Sequence, residues 1–117
     1  MMNILNIMKI YLKIKGGKME NVLKLNEYGS TLGLRELARQ INSKLKDYID
    51  KNETVILDFE NVNSISSSFS DELIAKVMFD IGYDKYISLI KIRNANSFVK
   101  TIINSSIASR AEENKKS

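Results

Sequence analysis

Residues 9–15 read Lys-Ile-Tyr-Leu-Lys-Ile-Lys, with Ile10, Leu12 and Ile14 at every second position. Side chains alternate across a strand, so this spacing predicts a half-buried strand. Gly16-Gly17 follows, and a second extended run passes through Val22, Leu23 and Leu25. Two glycines between two such runs predict a β-hairpin, because a type I′ turn needs positive φ at both central residues. The period then changes. Beyond Gly29-Ser30-Thr31, apolar residues recur at three- and four-residue spacing through Leu34, Leu37, Ala38, Ile41, Leu45 and Tyr48 or Ile49. Such a stripe predicts a helix, with Arg35, Glu36, Arg39, Gln40, Lys44 and Asp47 on its wet face and Ser30 or Thr31 as its N-cap.

The polar run Asp50-Lys51-Asn52-Glu53 ends that helix. Thr54-Val55-Ile56-Leu57-Asp58-Phe59 is β-branched and nearly all apolar, the pattern of a strand covered on both faces. A buried strand directly after a helix argues for a parallel crossover. Residues 60–68 form a turn rich in Asn and Ser, and a second helix is expected from Phe69 to Phe79. Its inward positions are Phe69, Leu73, Ile74, Val77 and Met78. Ser68 stands three residues before Asp71, close to a capping box, and Gly82 closes the helix. A strand over Tyr86–Ile92 and a third helix from Ala95 to about Ile107, with Phe98, Ile102 and Ile103 inward, complete the order β-β-α-β-α-β-α. The expected fold class is α/β: an N-terminal hairpin and two crossovers, giving a mixed sheet of four or more strands with helices packed against it. The expected division is an extension with a first strand over 1–18, one domain over 19–109 and a disordered tail over 110–117.

Composition narrows the chemistry. The chain has 117 residues, 44% of them hydrophobic and 27% charged, which suits one domain with its own core. Cys, His, Trp and Pro are all absent. That removes disulfides, thiolate metal sites and thiol nucleophiles, together with the commonest general base and metal ligand. A non-catalytic protein without a cofactor is the expectation. The formal net charge is +4, but the lysines are scattered, which argues against nucleic acid as the partner. The opening Met1–Gly17 has an apolar run broken by Asn3, Asn6 and Lys9, with no small-residue cleavage site after it. No stretch approaches the roughly 20 apolar residues that span a bilayer, and a cytoplasmic location without membrane contact is expected. Met1, Met2 and Met19 are three conceivable starts.

Open α/β sheets place their sites at the carboxyl ends of strands. There the sequence sets Asp58, then five serines between 64 and 70, then Asp71 and Glu72. A strand-to-helix turn of hydroxyls and free amides suits a phosphate, either bound or attached to serine. The same serines also serve as a helix cap, and Asp71 and Glu72 suit the positive end of the helix dipole. As neighbours on a helix, these two acids point about 100° apart, which counts against a shared metal. Arg35 and Arg39, four residues apart on one face of the first helix, suit a solvated face first and an acidic partner second.

Three segments together carry a resemblance: Ser30-Thr31-Leu32-Gly33-Leu34-Arg35-Glu36-Leu37-Ala38-Arg39, Val55-Ile56-Leu57-Asp58-Phe59-Glu60-Asn61-Val62, and Ser68-Phe69-Ser70-Asp71-Glu72-Leu73. They resemble the Leu-x-x-Arg, hydrophobic-Asp-Phe-x-x-Val and Ser-Phe-x-Asp-Glu elements of the STAS-like family DUF4325, over about residues 20 to 109. The resemblance implies a fold like that of the anti-sigma factor antagonists. In that superfamily a GHKL-type ATPase kinase phosphorylates a serine at the start of the second helix, and the unphosphorylated form binds its partner and frees a sigma factor. The matching stretch puts Ser67 at the phospho-acceptor, flanked by Ser66 and Ser68. Ser66 stands where the superfamily has aspartate, and Phe69 where it has glycine. The implied partner surface is Arg35, Asp58, Ser66, Ser67, Ser68, Phe69, Asp71 and Glu72.

The first reading is therefore a regulatory protein-binding module whose partner is a GHKL-type kinase or an anti-sigma factor. The second is a constitutive interaction or inhibitor protein, encoded on a mobile element, that binds a host complex without phosphorylation. The third is a nucleotide sensor built on Asp58 and the Ser66–Ser68 amides. The sequence leaves the oligomeric state open, a homodimer included.

Overall fold

The computed structural model describes residues 20–115. In chain order these form β1 (Asn21–Lys24), a 3₁₀ turn (Leu25–Tyr28), β2 (Thr31–Leu32), α1 (Arg35–Asp50), β3 (Val55–Asp58), β4 (Ser64–Ile65), α2 (Ser67–Ser70), a π turn (Asp71–Ala75), α3 (Lys76–Ile81), α4 (Tyr83–Leu89), β5 (Ile90–Arg93) and α5 (Ser97–Lys115). The strand expected over 9–15 and the Gly16-Gly17 turn, and with them the fourth strand of a mixed sheet, lie outside the described residues.

The main sheet has the order β1-β3-β5, parallel throughout. Leu23 is in register with Leu57, and Leu57 with Ile92. All four residues of β3 are buried, as its unbroken apolar run requires of a central parallel strand. Helix α1 lies between β1 and β3 in sequence, and α2 to α4 lie between β3 and β5. These are the crossovers that parallel neighbours need. The core joins Leu45 and Ile41 of α1, Val55 and Leu57 of β3, and Leu73 and Ile74 of the π turn, with Phe59, Phe69 and Val99 fully enclosed. Each large side chain taken out of water there contributes about 1.5–3 kcal/mol.

The structure corrects four expectations. Thr31 and Ser30 do not cap the first helix. Thr31–Leu32 instead pairs in parallel with Ser64–Ile65 in a second, two-stranded sheet, because Leu32 and Ile65 are both core residues. The Ser30 carbonyl accepts from the Asn63 amide at 2.7 Å, and Leu34 takes the N-cap position with no side-chain cap. The turn over 60–68 thus contains a strand.

Tyr86–Leu89 is helical, not extended, and the strand starts only at Ile90. Gly82, at φ 97°, stops α3 and starts α4. Its backbone is one that L side chains rarely adopt. Tyr86 and Leu89 then bury at helical spacing.

Phe98 points outward and is 53% exposed, because Val99, Ile103 and Ser106 form the buried stripe of α5. That helix continues to Lys115, past the position 107 at which the sequence pattern ends it.

The fourth difference is the π turn. Asn42 of α1 donates from Nδ2 to the Glu72 carbonyl at 2.6 Å. A side chain inserted into the helical ladder is a recognised cause of such a distortion. The turn widens the buried arc, so Glu72, Leu73, Ile74 and Ala75 are all buried in succession.

Candidate functional site

The serine turn leaves β4 and enters α2 with its hydroxyls in three different roles. Ser66 is the N-cap, not Ser68: its oxygen accepts from the Phe69 amide at 3.0 Å and donates to the Gly33 carbonyl at 2.7 Å. Ser66 therefore ties the start of α2 to the segment that opens α1. Ser70 is buried and shares a 2.5 Å hydrogen bond with Ser106, fastening α2 to α5. Ser67 and Ser68 are exposed, and among the described residues neither hydroxyl has a side-chain hydrogen bond. Phe69 is fully buried and supports this turn from below, contributing no surface. Leu34, 71% exposed, follows Gly33, the residue that Ser66 holds.

Behind the turn lies a charge network that brings two sequence motifs together. Arg35 Nη1 donates to Glu72 Oε2 at 2.8 Å and to Asp71 Oδ2 at 3.1 Å. Glu72 also pairs with Arg39 at 3.2 Å and Lys76 at 3.5 Å. Asp71 accepts two hydrogen bonds from Arg110 of α5, from Nε at 3.0 Å and Nη2 at 2.5 Å. This fork-shaped contact is the stronger geometry for a guanidinium and a carboxylate. Burial opposes ionisation of Asp71 and Glu72. Hydrogen bonds from Arg110 and Arg35 to Asp71, and from Arg35 to Glu72, outweigh it and hold both carboxyls below their usual range.

Asp58 is buried at the end of β3, in a separate set of contacts. Its Oδ1 accepts from Asn94 Nδ2 at 3.0 Å and from the Glu60 amide at 3.0 Å. The Asn94 bond is the main cause of its lowered pKa. Asn61 and Asn94 sit at φ 63° and 61°, a left-handed conformation that Asn tolerates better than most residues. Asp58 therefore ties two adjacent strand ends together, and its side-chain hydrogen bonds go to Asn94 and the Glu60 amide and not to the serines.

The arrangement gathers Arg35, Ser66, Ser67, Ser68, Asp71 and Glu72 around the start of the second helix. Sequence reasoning missed Arg110, which lies in the stretch expected to be a tail, and Asn42, whose role depends on a π turn that no periodicity announces. Among the described residues, no group of three or more His, Cys, Asp or Glu is placed to hold a metal ion. No described helix is long and apolar enough to cross a membrane.

Comparison with known proteins gives one family. Its model, described as a STAS-like domain of unknown function (DUF4325), matches residues 38–100, more than half of the chain. The match covers the hydrophobic-Asp-Phe-x-x-Val strand and the Ser-Phe-x-Asp-Glu helix start, while Arg35 precedes it. Searches of curated proteins and of solved structures gave no match. With its parallel β1-β3-β5 sheet, its buried Phe59 and Val62 and its serine-led second helix, the chain belongs to the STAS-like DUF4325 family.

Proposed function

We propose that this chain is a non-catalytic regulatory module of the anti-sigma-factor-antagonist type, binding a protein partner through the turn at Leu34 and Ser66–Ser68. The observation that carries this reading is the division of labour among the serines. Ser66 is committed to the cap, and Ser70 to the interior. Ser67 and Ser68 are exposed and uncommitted. A phosphate on Ser67 would add about −1.5 to −2 charges at the centre of the docking surface. Partner affinity would then fall for an acidic or apolar counterpart. The partner in this reading is a GHKL-type ATPase kinase or an anti-sigma factor. Incubating the chain with such a kinase and ATP, followed by intact-mass measurement, tests the switch. One added phosphate that Ser67→Ala abolishes supports it. An unchanged mass, with partner binding indifferent to Ser67→Glu, rejects it.

A second reading keeps the module and removes the switch. It is favoured by Ser66, which occupies the superfamily's aspartate position and uses its hydroxyl within the fold. In that case the chain binds its partner constitutively. The mass measurement separates the two: a phosphate on Ser67 is expected only with the switch, whereas Leu34→Asp weakens binding in both readings.

A further inference from the structure

Helices α1 and α3 flank a trough of about 350 Å³ that starts at the Asn42–Glu72 contact. Leu45 and Ile49 of α1 and Val77 and Ile81 of α3 give it an apolar floor. Both walls carry a lysine one turn before an aspartate: Lys46 and Asp50 on α1, Lys76 and Asp80 on α3. The two ends of the trough differ in charge. Lys76 is already paired with Glu72. Asp50 is the last residue of α1 and Asp80 is next to last in α3; both are exposed and neither makes an ion pair within 4 Å among the described residues, with Arg110 acting on Asp80 from longer range. Neither helix has a basic residue in its last turn. Carboxylates at a helix C-terminus add to the negative end of the dipole instead of compensating it. That end of the trough therefore attracts a cation, and the floor attracts apolar groups.

We propose that this trough is a second protein-docking surface, separate from the serine turn, that takes a basic amphipathic segment of a partner. The segment's apolar side chains lie along the half-buried Val77 and Ile81 and the edge of Ile49, and its lysine or arginine meets Asp50 and Asp80. The trough is open along exposed walls, which suits a peptide running between two helices more than an enclosed small molecule. Opposite charges fix the direction in which the segment lies.

The test is a titration of the isotope-labelled full chain with two short synthetic peptides, followed by amide NMR. One peptide has leucine and lysine at helical spacing; the other has glutamate in place of each lysine. The expected result is saturable shifts over residues 45–50 and 76–81 with the lysine peptide and none with the glutamate peptide. The double variant Asp50→Lys, Asp80→Lys should bind about tenfold more weakly, the effect of losing and reversing two rim charges, with a melting temperature no lower than the parent's. Ser67→Glu should leave this titration unaltered. The proposal is overturned by failure of the lysine peptide to bind, by equal binding of the glutamate peptide or of the double variant, or by shifts centred on Ser66–Ser68. It is also overturned by a concentration-dependent dimer that the double variant abolishes, which would make a second copy the occupant.

Discussion

Arg35, the first residue of α1, donates to Glu72 in the π turn at 2.8 Å, although 37 positions separate them in the chain. The same guanidinium reaches Asp71, which is gripped from the other side by Arg110. Three helical segments are thereby fixed to one another immediately behind the exposed serines. Glu72 is nearly inaccessible, so its charge depends on these partners. Replacing Arg35 with alanine is expected to destabilise the fold by about 1–2 kcal/mol in urea unfolding. That is the low end for a partner lost from a buried charge, because Arg39 and Lys76 remain and Arg35 is itself part-exposed. A double-mutant cycle with Glu72→Ala should return a favourable coupling of at least about 0.5 kcal/mol. Strict additivity would show that the pair is energetically idle.

The serines should separate sharply in stability. Ser66→Ala removes the cap on α2 and the donor to Gly33, so a loss of about 1 kcal/mol is expected. Ser67→Ala and Ser68→Ala should stay within about 0.5 kcal/mol of the parent, as exposed substitutions do. Thermal unfolding of the three variants side by side checks this. A large loss at Ser67 would mean that its hydroxyl is structural and unavailable for regulation.

Phe69 should behave as a core residue. Phe69→Ala is expected to cost about 3–5 kcal/mol, the range for emptying an aromatic site in a packed interior. Phe69→Leu should retain most of the stability. Both follow from unfolding curves, and a mild effect of the alanine variant would place the ring at the surface.

Acid should weaken the protein through three carboxyls. Asp58, Asp71 and Glu72 are all held below their ordinary values in the folded state. A depressed folded pKa means that the unfolded chain binds protons first as pH falls. The stabilisation is therefore complete above the unfolded values near 4, and it is lost as pH drops through them and on through the folded ones. Stability measured from pH 7 down to 2 should be flat at first and then fall. Asp71→Asn should make the fall shallower. A stability that rises on acidification would contradict the ion-pair geometry.

Tyr86 presents the opposite case. Its hydroxyl is buried with no hydrogen-bond partner among the described residues, and burial pushes its pKa upward. An unsatisfied buried hydroxyl costs free energy, so Tyr86→Phe is expected to be neutral or stabilising, by up to about 1–3 kcal/mol. A clear loss of stability in that variant would reveal a hidden partner for the oxygen.

The sequence pattern made some elements readable and hid others for physical reasons. α1 and β3 are legible because one has a clean apolar stripe and the other an unbroken apolar run, each dictated by local burial. β2 and β4 are not, because two-residue strands carry no period. They exist through the mutual burial of Leu32 and Ile65. Tyr86–Leu89 misleads because a short apolar run fits a strand or a helix equally, and the restart at Gly82 decides between them. At the candidate site, the serines and Asp71-Glu72 stand out in composition. Arg110 and Asn42 could be found only in three dimensions, since their partners lie 39 and 30 positions away.

The π turn sets an angular phase. A turn of this kind amounts to one residue more than an α-helix would use, and each residue of an α-helix advances the chain by about 100°. Deleting a single residue within Asp71–Ala75 would let a plain α-helix form with Ser67 and Ser68 near their present angle to Val77 and Ile81, because the wider turn absorbs its extra residue. A plain α-helix that kept that residue would swing them by about 100°. The azimuth between the serine turn and the inter-helix trough is thus kept by one distorted turn that takes up the extra residue. A family member without that extra residue would present the same two faces at nearly the same mutual angle along an unbroken α-helix.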